Sequence, residues 1–271
     1  MLVKLFRHTT IVDRALEEDI GSGDITSNSI IPAEATAHAR LVAQADGVVA
    51  GLFLVRNILK QARVRFHVSD GAFVRREQVL ADIDGNARYI LARERVVLNF
   101  VRHLSGIATL TRKFVDATSS DVKILDTRKT TPGLRKLEKY AVRMGGGQNH
   151  RMGLYDMVLI KNNHFAIAGG ITEAIRRARV TGLIVEVEVE TINQLKEAVL
   201  SRPDMIMLDN MPLTDIKKAV RLVHGRIPLE VSGGVTLEKI PLLCKLGIQY
   251  ISVGALTHSA PALDISLDIV L

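Results

Sequence analysis

Residues Asp126 to His164 read DTRKTTPGLRKLEKYAVRMGGGQNHRMGLYDMVLIKNNH, and ten of their side chains are Lys, Arg or His against three acids. The cations are Arg128, Lys129, Arg135, Lys136, Lys139, Arg143, His150, Arg151, Lys161 and His164. A hydrophobic core needs no such concentration of charge, and a flexible basic tail would not carry the apolar run MVLI beside it. The chemistry this suits is the binding of a ligand with several negative charges, since the planar arginine fork bonds carboxylates and phosphates bidentately. The triplet Gly145–Gly147 lets the backbone come close to a ligand or adopt positive φ. Arg135, Lys136 and Lys139 recur at helical spacing and read as a solvated helical face. Arg128, Lys129, Arg151 and Lys161 fall at strand ends and in loops, where they can meet a ligand.

The elements that must hold these residues show a regular rhythm in the second half of the chain. Six apolar runs each end in polar or glycine residues: VKILD (122–126), MVLIK (157–161), LIVEVEVE (183–190), MIMLD (205–209), PLEVSGG (228–234) and YISVG (250–254). Helical patterns separate most of them, as in TEAIRRARV (172–180), INQLKEAVL (192–200), LTDIKKAVRLV (213–223) and LEKIPLLCKL (237–246). Strand–helix alternation implies right-handed βαβ units and a parallel sheet. Six units fall short of the eight of a complete β/α barrel, so an incomplete barrel, or one borrowing strands, is expected.

Reactive groups of such barrels sit at the C-terminal strand ends. Those ends carry Asp126-Thr127-Arg128-Lys129, Lys161, Glu188 and Glu190, Asp209, Ser232-Gly233-Gly234 and Gly254. Carboxylates, cations and glycine turns suited to phosphate therefore converge on one mouth. In EVEVE the valines Val185, Val187 and Val189 share one face and Glu186, Glu188 and Glu190 the other. The expected arrangement packs the valines under helices and turns the glutamates into the barrel, where they need cationic partners.

The first part of the chain differs. A helical IVDRALEEDI leads into the turn-rich GSGDIT, then the alternating ATAHARLVAQA, a helical LFLVRNILKQA and the strand-like VRFHVSD and QVLADID. This reads as an α+β layer. A long amphipathic helix follows from about Ala87 to Ala117, with Ser105-Gly106 as a candidate break. Arg88, Arg95 and Arg102 recur along it every seven residues as a basic stripe, with Arg88 and Arg102 read as solvated.

The 271 residues carry 36 Lys and Arg against 29 Asp and Glu, a net charge of +7. Aromatics make up only 4% and no long basic run occurs, so base stacking has few candidates and acidic small molecules fit better than nucleic acid. The single Cys244 cannot form an internal disulfide and reads as a buried small hydrophobe. No opening leader pattern and no apolar run of the ~20 residues that span a bilayer are evident, so a cytoplasmic protein without membrane partners is expected.

The chain resembles the quinolinate phosphoribosyltransferase family, the carboxylating nicotinate-nucleotide pyrophosphorylases. The resemblance rests on EDIGSGDITS, ARERVVLNFVRHLSGIATLT, the basic stretch quoted above, EVEVE, LDNM, EVSGG and ISVGALTHS, in this order over nearly the whole chain. It implies transfer of phosphoribosyl from phosphoribosyl pyrophosphate to quinolinate with Mg²⁺, giving nicotinate mononucleotide, CO₂ and pyrophosphate in de novo NAD biosynthesis. It also implies an α/β fold: an N-terminal α/β sandwich with the bridging helix (1–105), then an incomplete β/α barrel (106–271) whose C-terminal segment packs back on the first domain. A homodimer or larger assembly with shared sites is expected. Position by position, Arg128, His150, Arg151 and Lys161 become the quinolinate clamp, with Arg95 from the neighbouring subunit. Thr127 and Lys129 join the substrate site, and Lys129 would touch both substrates. Glu188 and Asp209 would lie near the ribose and the Mg²⁺, held through water. Ser232, Gly233, Gly234, Val253, Gly254 and Ala255 would hold the 5′-phosphate, with His258 nearby. One position departs from the family's LIKDNH, where this chain has Asn162.

The residue types suit that chemistry without the resemblance. Departure of pyrophosphate leaves positive charge on the ribose, which Glu188 and Asp209 can stabilise, and Lys129 can offset the charge of the leaving group. Two other readings of the residues alone stay open: a Schiff-base lyase with Lys161 or Lys129 as its amine, and a non-enzymatic nucleic-acid surface.

Overall fold

A computed structural model of the chain describes residues 10–118 and 121–270. These fall into two compact units. One comprises the described residues up to Leu110 with Thr131–Gly146 and those from Ala260, and the other Thr111–Thr130 and Gly147–Ser259. The chain thus crosses between units several times, and its C-terminal residues belong to the first unit.

In the first unit, α1 (Ile11–Ile20) opens on a reciprocal cap: Asp13 N donates to Thr10 Oγ1 and Thr10 N to the Asp13 carboxylate. The segment GSGDIT, expected as turn alone, leads into α2 (Ile25–Ile30), because Asp24 accepts Ser27 N at 3.0 Å and so caps a short helix. Strands β1 (Thr36–Ala43) and β2 (Gly47–Val48) follow, then α3 (Leu52–Ile58), β3 (Arg63–Phe66), β4 (Phe73–Val74) and β5 (Val79–Asn86). Alternation along β1 buries Ala39, Leu41 and Ala43. Strand β1 pairs antiparallel with β5 and, on its other edge, with the last strand of the chain, Ile265–Val270.

The bridging helix α4 runs from Ala87 to Asp116 without a break. Gly106 serves close approach instead: a Cβ there would lie 2.1 Å from the Pro261 carbonyl oxygen. Ser105 is buried and bonded, accepting Ala50 N at 3.0 Å. Gly106→Ala is therefore expected to destabilise by about 1–3 kcal/mol through overpacking, although alanine favours a helix interior. Thermal unfolding checks this, and an unchanged or higher Tm would show that the Pro261 segment yields.

The second unit alternates strands and helices: β6 (Lys123–Leu125), β7 (Val158–Ile160), α6 (Asn162–Ala168), α7 (Ile171–Ala178), β8 (Val185–Val189), α8 (Ile192–Ser201), β9 (Met205–Asp209), α9 (Leu213–Val223), β10 (Leu229–Ser232), α10 (Ile240–Cys244), β11 (Tyr250–Ser252) and α11 (Ala255–His258). Helix α5 (Arg135–Met144) lies between β6 and β7 in sequence and belongs to the first unit; the last strand, Ile265–Val270, is β12. All six strand expectations are met. The sheet is parallel in the order β6-β11-β10-β9-β8-β7, with β6 and β7 as its edges. It is an incomplete barrel.

Two expectations about charge change. Lys139 on α5 is fully buried, not on a solvated face with the exposed Lys136. Arg88 and Arg102 are likewise engaged: Arg88 Nε donates to the Ile31 carbonyl at 2.7 Å, and Arg102 Nη2 meets Asp264 Oδ1 at 2.9 Å. Arg95 differs, its side chain 57% exposed and its guanidinium 3.9 Å from the adjoining Glu94.

Candidate active site

The C-terminal ends of the parallel strands enclose a cavity of about 520 Å³, within the usual range for small-molecule sites. Thr127, Arg128, Lys129, His150, Arg151, Lys161, Glu188, Asp209, Ser232, Gly233, Gly234, Val253, Gly254, Ala255 and His258 all line it. Arg95 does not; it lies on α4 in the first unit. Asn162, the departing residue, sits exposed at the start of α6, where its side-chain oxygen accepts Asn163 N at 2.8 Å.

Each wall has a local cause. After β6 the chain turns so that Lys129 N donates to Thr127 Oγ1 at 3.1 Å, and Thr257 Oγ1 donates to the Lys129 carbonyl at 2.7 Å. The Lys129 stem passes Gly254, where a Cβ would lie 3.2 Å from both Lys129 Cδ and His258 Nε2. Asp126 does not line the cavity. It is fully buried and accepts Asn149 Nδ2 at 2.6 Å and His150 N at 2.9 Å, which anchors the loop carrying His150 and Arg151.

The two arginines share one side. Burial and the nearby Arg128 charge lower the Arg151 pKa, so this guanidinium is held against repulsion by the carboxylates facing it. Lys161 bonds Glu188, which is nearly buried. Glu188, Glu190 and Asp209 offer oxygens within 4.8 Å of one another, a hard donor set that fits a divalent cation such as Mg²⁺. At the opposite turn, Gly233 has φ +91° and a Cβ there would lie 2.2 Å from Asn210 Oδ1, so both space and backbone demand glycine.

His150 lines the cavity and is also bonded within the protein. Its Nδ1 accepts Arg151 N at 2.7 Å and its Nε2 lies 2.9 Å from Glu186 Oε2, so both ring nitrogens serve the protein. The cause is the barrel interior: Glu186 is fully buried and requires a donor.

Sequence reasoning missed several residues here. Asn210, Ser252, Val235, Met207 and Leu159 also line the cavity. Asn210 follows Asp209 in LDNM and takes positive φ, 53°, a conformation asparagine tolerates. Lys239 Nζ donates to the Gly234 carbonyl at 2.7 Å and braces the glycine turn.

Family models for the quinolinate phosphoribosyl transferase N-terminal and C-terminal domains match residues 24–105 and 107–268. The chain belongs to the quinolinate phosphoribosyltransferase family. It is 46% identical to a probable nicotinate-nucleotide pyrophosphorylase (carboxylating) of Bacillus subtilis, across 94% of this chain and 90% of that one. The corresponding Mycobacterium leprae protein is 44% identical over 95% of both chains. A crystal structure of nicotinate-nucleotide pyrophosphorylase from Ehrlichia chaffeensis superposes with a TM-score of 0.93 at 42% identity, covering 96% of this chain and 97% of that one. The chain is thus an enzyme of the family's type, and its two family domains meet near residue 106 although compactness assigns 131–146 and the C-terminal strand to the first unit.

Proposed function

We propose that this enzyme transfers phosphoribosyl from phosphoribosyl pyrophosphate to the ring nitrogen of quinolinate, with loss of the adjacent carboxylate, to give nicotinate mononucleotide, CO₂ and pyrophosphate for NAD biosynthesis. The observation that carries it is a single cavity in which the Arg128–Arg151–Lys161 cations face Glu188 and Asp209, with the Ser232–Gly234 and Gly254 turns alongside. The three cations match the two carboxylates of quinolinate. The turns present backbone N–H groups to the 5′-phosphate, with Val253, Ala255 and His258 beside them.

As pyrophosphate departs, positive charge grows on the ribose, and Glu188 and Asp209 offset it. Lys129 offsets the growing charge of the leaving group. Glu188, Asp209 and the exposed Glu190 would hold Mg²⁺, directly or through water, and the ion would neutralise pyrophosphate charge. Once the ring nitrogen carries the ribose it withdraws electrons from the ring, so the neighbouring C–CO₂⁻ bond breaks with its electron pair retained by the ring carbon. That carbon then takes a proton.

The working form is a homodimer or larger assembly in the cytoplasm, in which Arg95 of each subunit completes the partner's site. Its exposed guanidinium, between the engaged Arg88 and Arg102, supports this reading. No helix among the described residues is long and apolar enough to cross a membrane.

Purified protein with Mg²⁺, carboxyl-labelled quinolinate and phosphoribosyl pyrophosphate is expected to yield nicotinate mononucleotide with stoichiometric labelled CO₂. Equal or better turnover of nicotinate, with no CO₂ from quinolinate, would overturn the assignment.

A further inference from the structure

Beneath the cavity lies a group of side chains that the reaction above does not use. Glu230 on β10 and Glu186 on β8 are both 0% exposed, and His150 reaches between them. Among the described residues Glu230 has no hydrogen-bond partner on either carboxyl oxygen, and Glu186 has none on Oε1. Two buried carboxylates in this state would forgo hydration with a single hydrogen bond, from His150 to Glu186 Oε2, in return.

A metal ion does not resolve this. Oxygens of Glu186 and Glu230 and a ring nitrogen of His150 lie within 4.8 Å of one another, a plausible ligand set by type. The Arg151 N–H, however, donates to His150 Nδ1, which fixes the proton on Nε2. Nε2 then donates to Glu186 Oε2 at 2.9 Å and has no lone pair to offer a cation. A proton does resolve it: one on Glu230 supplies the donor that Glu186 Oε1 lacks, and the Ser252 hydroxyl, otherwise without a partner, faces the remaining Glu230 oxygen.

We propose that Glu230 is a positioning residue for the dicarboxylate substrate, kept as a neutral carboxylic acid that donates to Glu186. Glu186, so held, fixes His150, and His150 fixes the backbone of Arg151 beside Arg128. One negative charge then lies under that pair of cations, where two would weaken their hold on a dianion. Burial raises the Glu230 pKa well above the ordinary carboxylate range, and the Glu186 charge adds to this. The charged and titratable groups facing the pair are Glu188 on the same strand as Glu186, Arg151 and His150 from the loop, and Lys161 after β7. The link to quinolinate rests on the reaction proposed above, but the protonation state does not.

Three measurements test it. Infrared spectra of wild-type protein at neutral pH should show a buried carboxylic-acid carbonyl band that Glu230→Gln removes. No such band, or one that survives this substitution, overturns the proposal. The unfolded pKa of Glu230 lies below the folded one, so wild-type stability should fall as pH rises between the two and level off above. Glu230→Gln should flatten that slope, and an unaltered slope counts against the idea. Glutamine retains a donor toward Glu186, so Glu230→Gln should keep KM for quinolinate within about threefold, whereas Glu230→Leu should raise it about tenfold or more with KM for phosphoribosyl pyrophosphate little changed. Equal KM values for Gln and Leu would reduce Glu230 to a space-filling group. The first two measurements use no substrate and no Leu variant, so they decide the protonation state even if that variant fails to fold or quinolinate proves not to be the substrate.

Discussion

Lys129→Ala is expected to lower kcat/KM for quinolinate phosphoribosyl transfer by about 10²-fold or more, roughly 2.7 kcal/mol, the scale of removing one preorganised charge-stabilising group. Its stem passes the glycine turn at Gly254 and its side chain lines the cavity together with Arg128. The fold should persist. Lys129 is exposed, and the bonds that shape its turn come from its backbone: N–H to Thr127 Oγ1 and carbonyl from Thr257 Oγ1. A near-normal kcat/KM in a folded Lys129→Ala protein would remove this residue from the mechanism. Asp209→Asn should cost a similar factor, since it keeps the shape and removes the charge. Lys136→Ala, exposed on α5 and outside the cavity, is the control and should be nearly silent.

Arg95→Ala and Lys129→Ala proteins, each nearly inactive alone, are expected to regain activity when mixed under conditions of subunit exchange. If Arg95 serves the partner's site, a homodimer of either variant has one lesion in both sites. A heterodimer carries one site with both lesions and one with neither, because the two interfaces of an isologous pair are equivalent. Random exchange makes half the dimers mixed, so the mixture should reach up to about a quarter of wild-type activity. Native mass spectrometry or a tagged pull-down verifies exchange. Confirmed exchange with no recovered activity would place Arg95 within its own chain and end the shared-site reading.

The strands and the mouth of the barrel were legible because their signals are local. Each of the six apolar runs ends within two residues of the end of a parallel strand, and strand polarity alone then gathers their last residues on one side. Thus Lys161, Glu188, Asp209 and Ser232 were placed by counting along the chain. The short helix α2 was not, because its cap depends on one aspartate side chain folding back onto Ser27. Lys139 was misread for a related reason. Helical spacing gives a face but not what covers it, and Lys139 is covered while Lys136 is not.

By itself the sequence determined the alternation of elements, the cationic character of the site and the family, since periodicity, charge and motif order all reside in the chain. Only the tertiary structure decided the duties of residues of like type. Glu186 and Glu188 share one strand face, yet Glu188 lines the cavity with Lys161 while Glu186 is buried outside its lining with Glu230, where the ring of His150 reaches both. Glu230, on a strand that reads as ordinary LEVS, gains its role from an oxygen on β8 and a ring nitrogen from the 147–151 loop. Which carboxylate is solvated, paired or protonated depends on distances between strands remote in sequence, and desolvation acts on those distances, not on spacing along the chain.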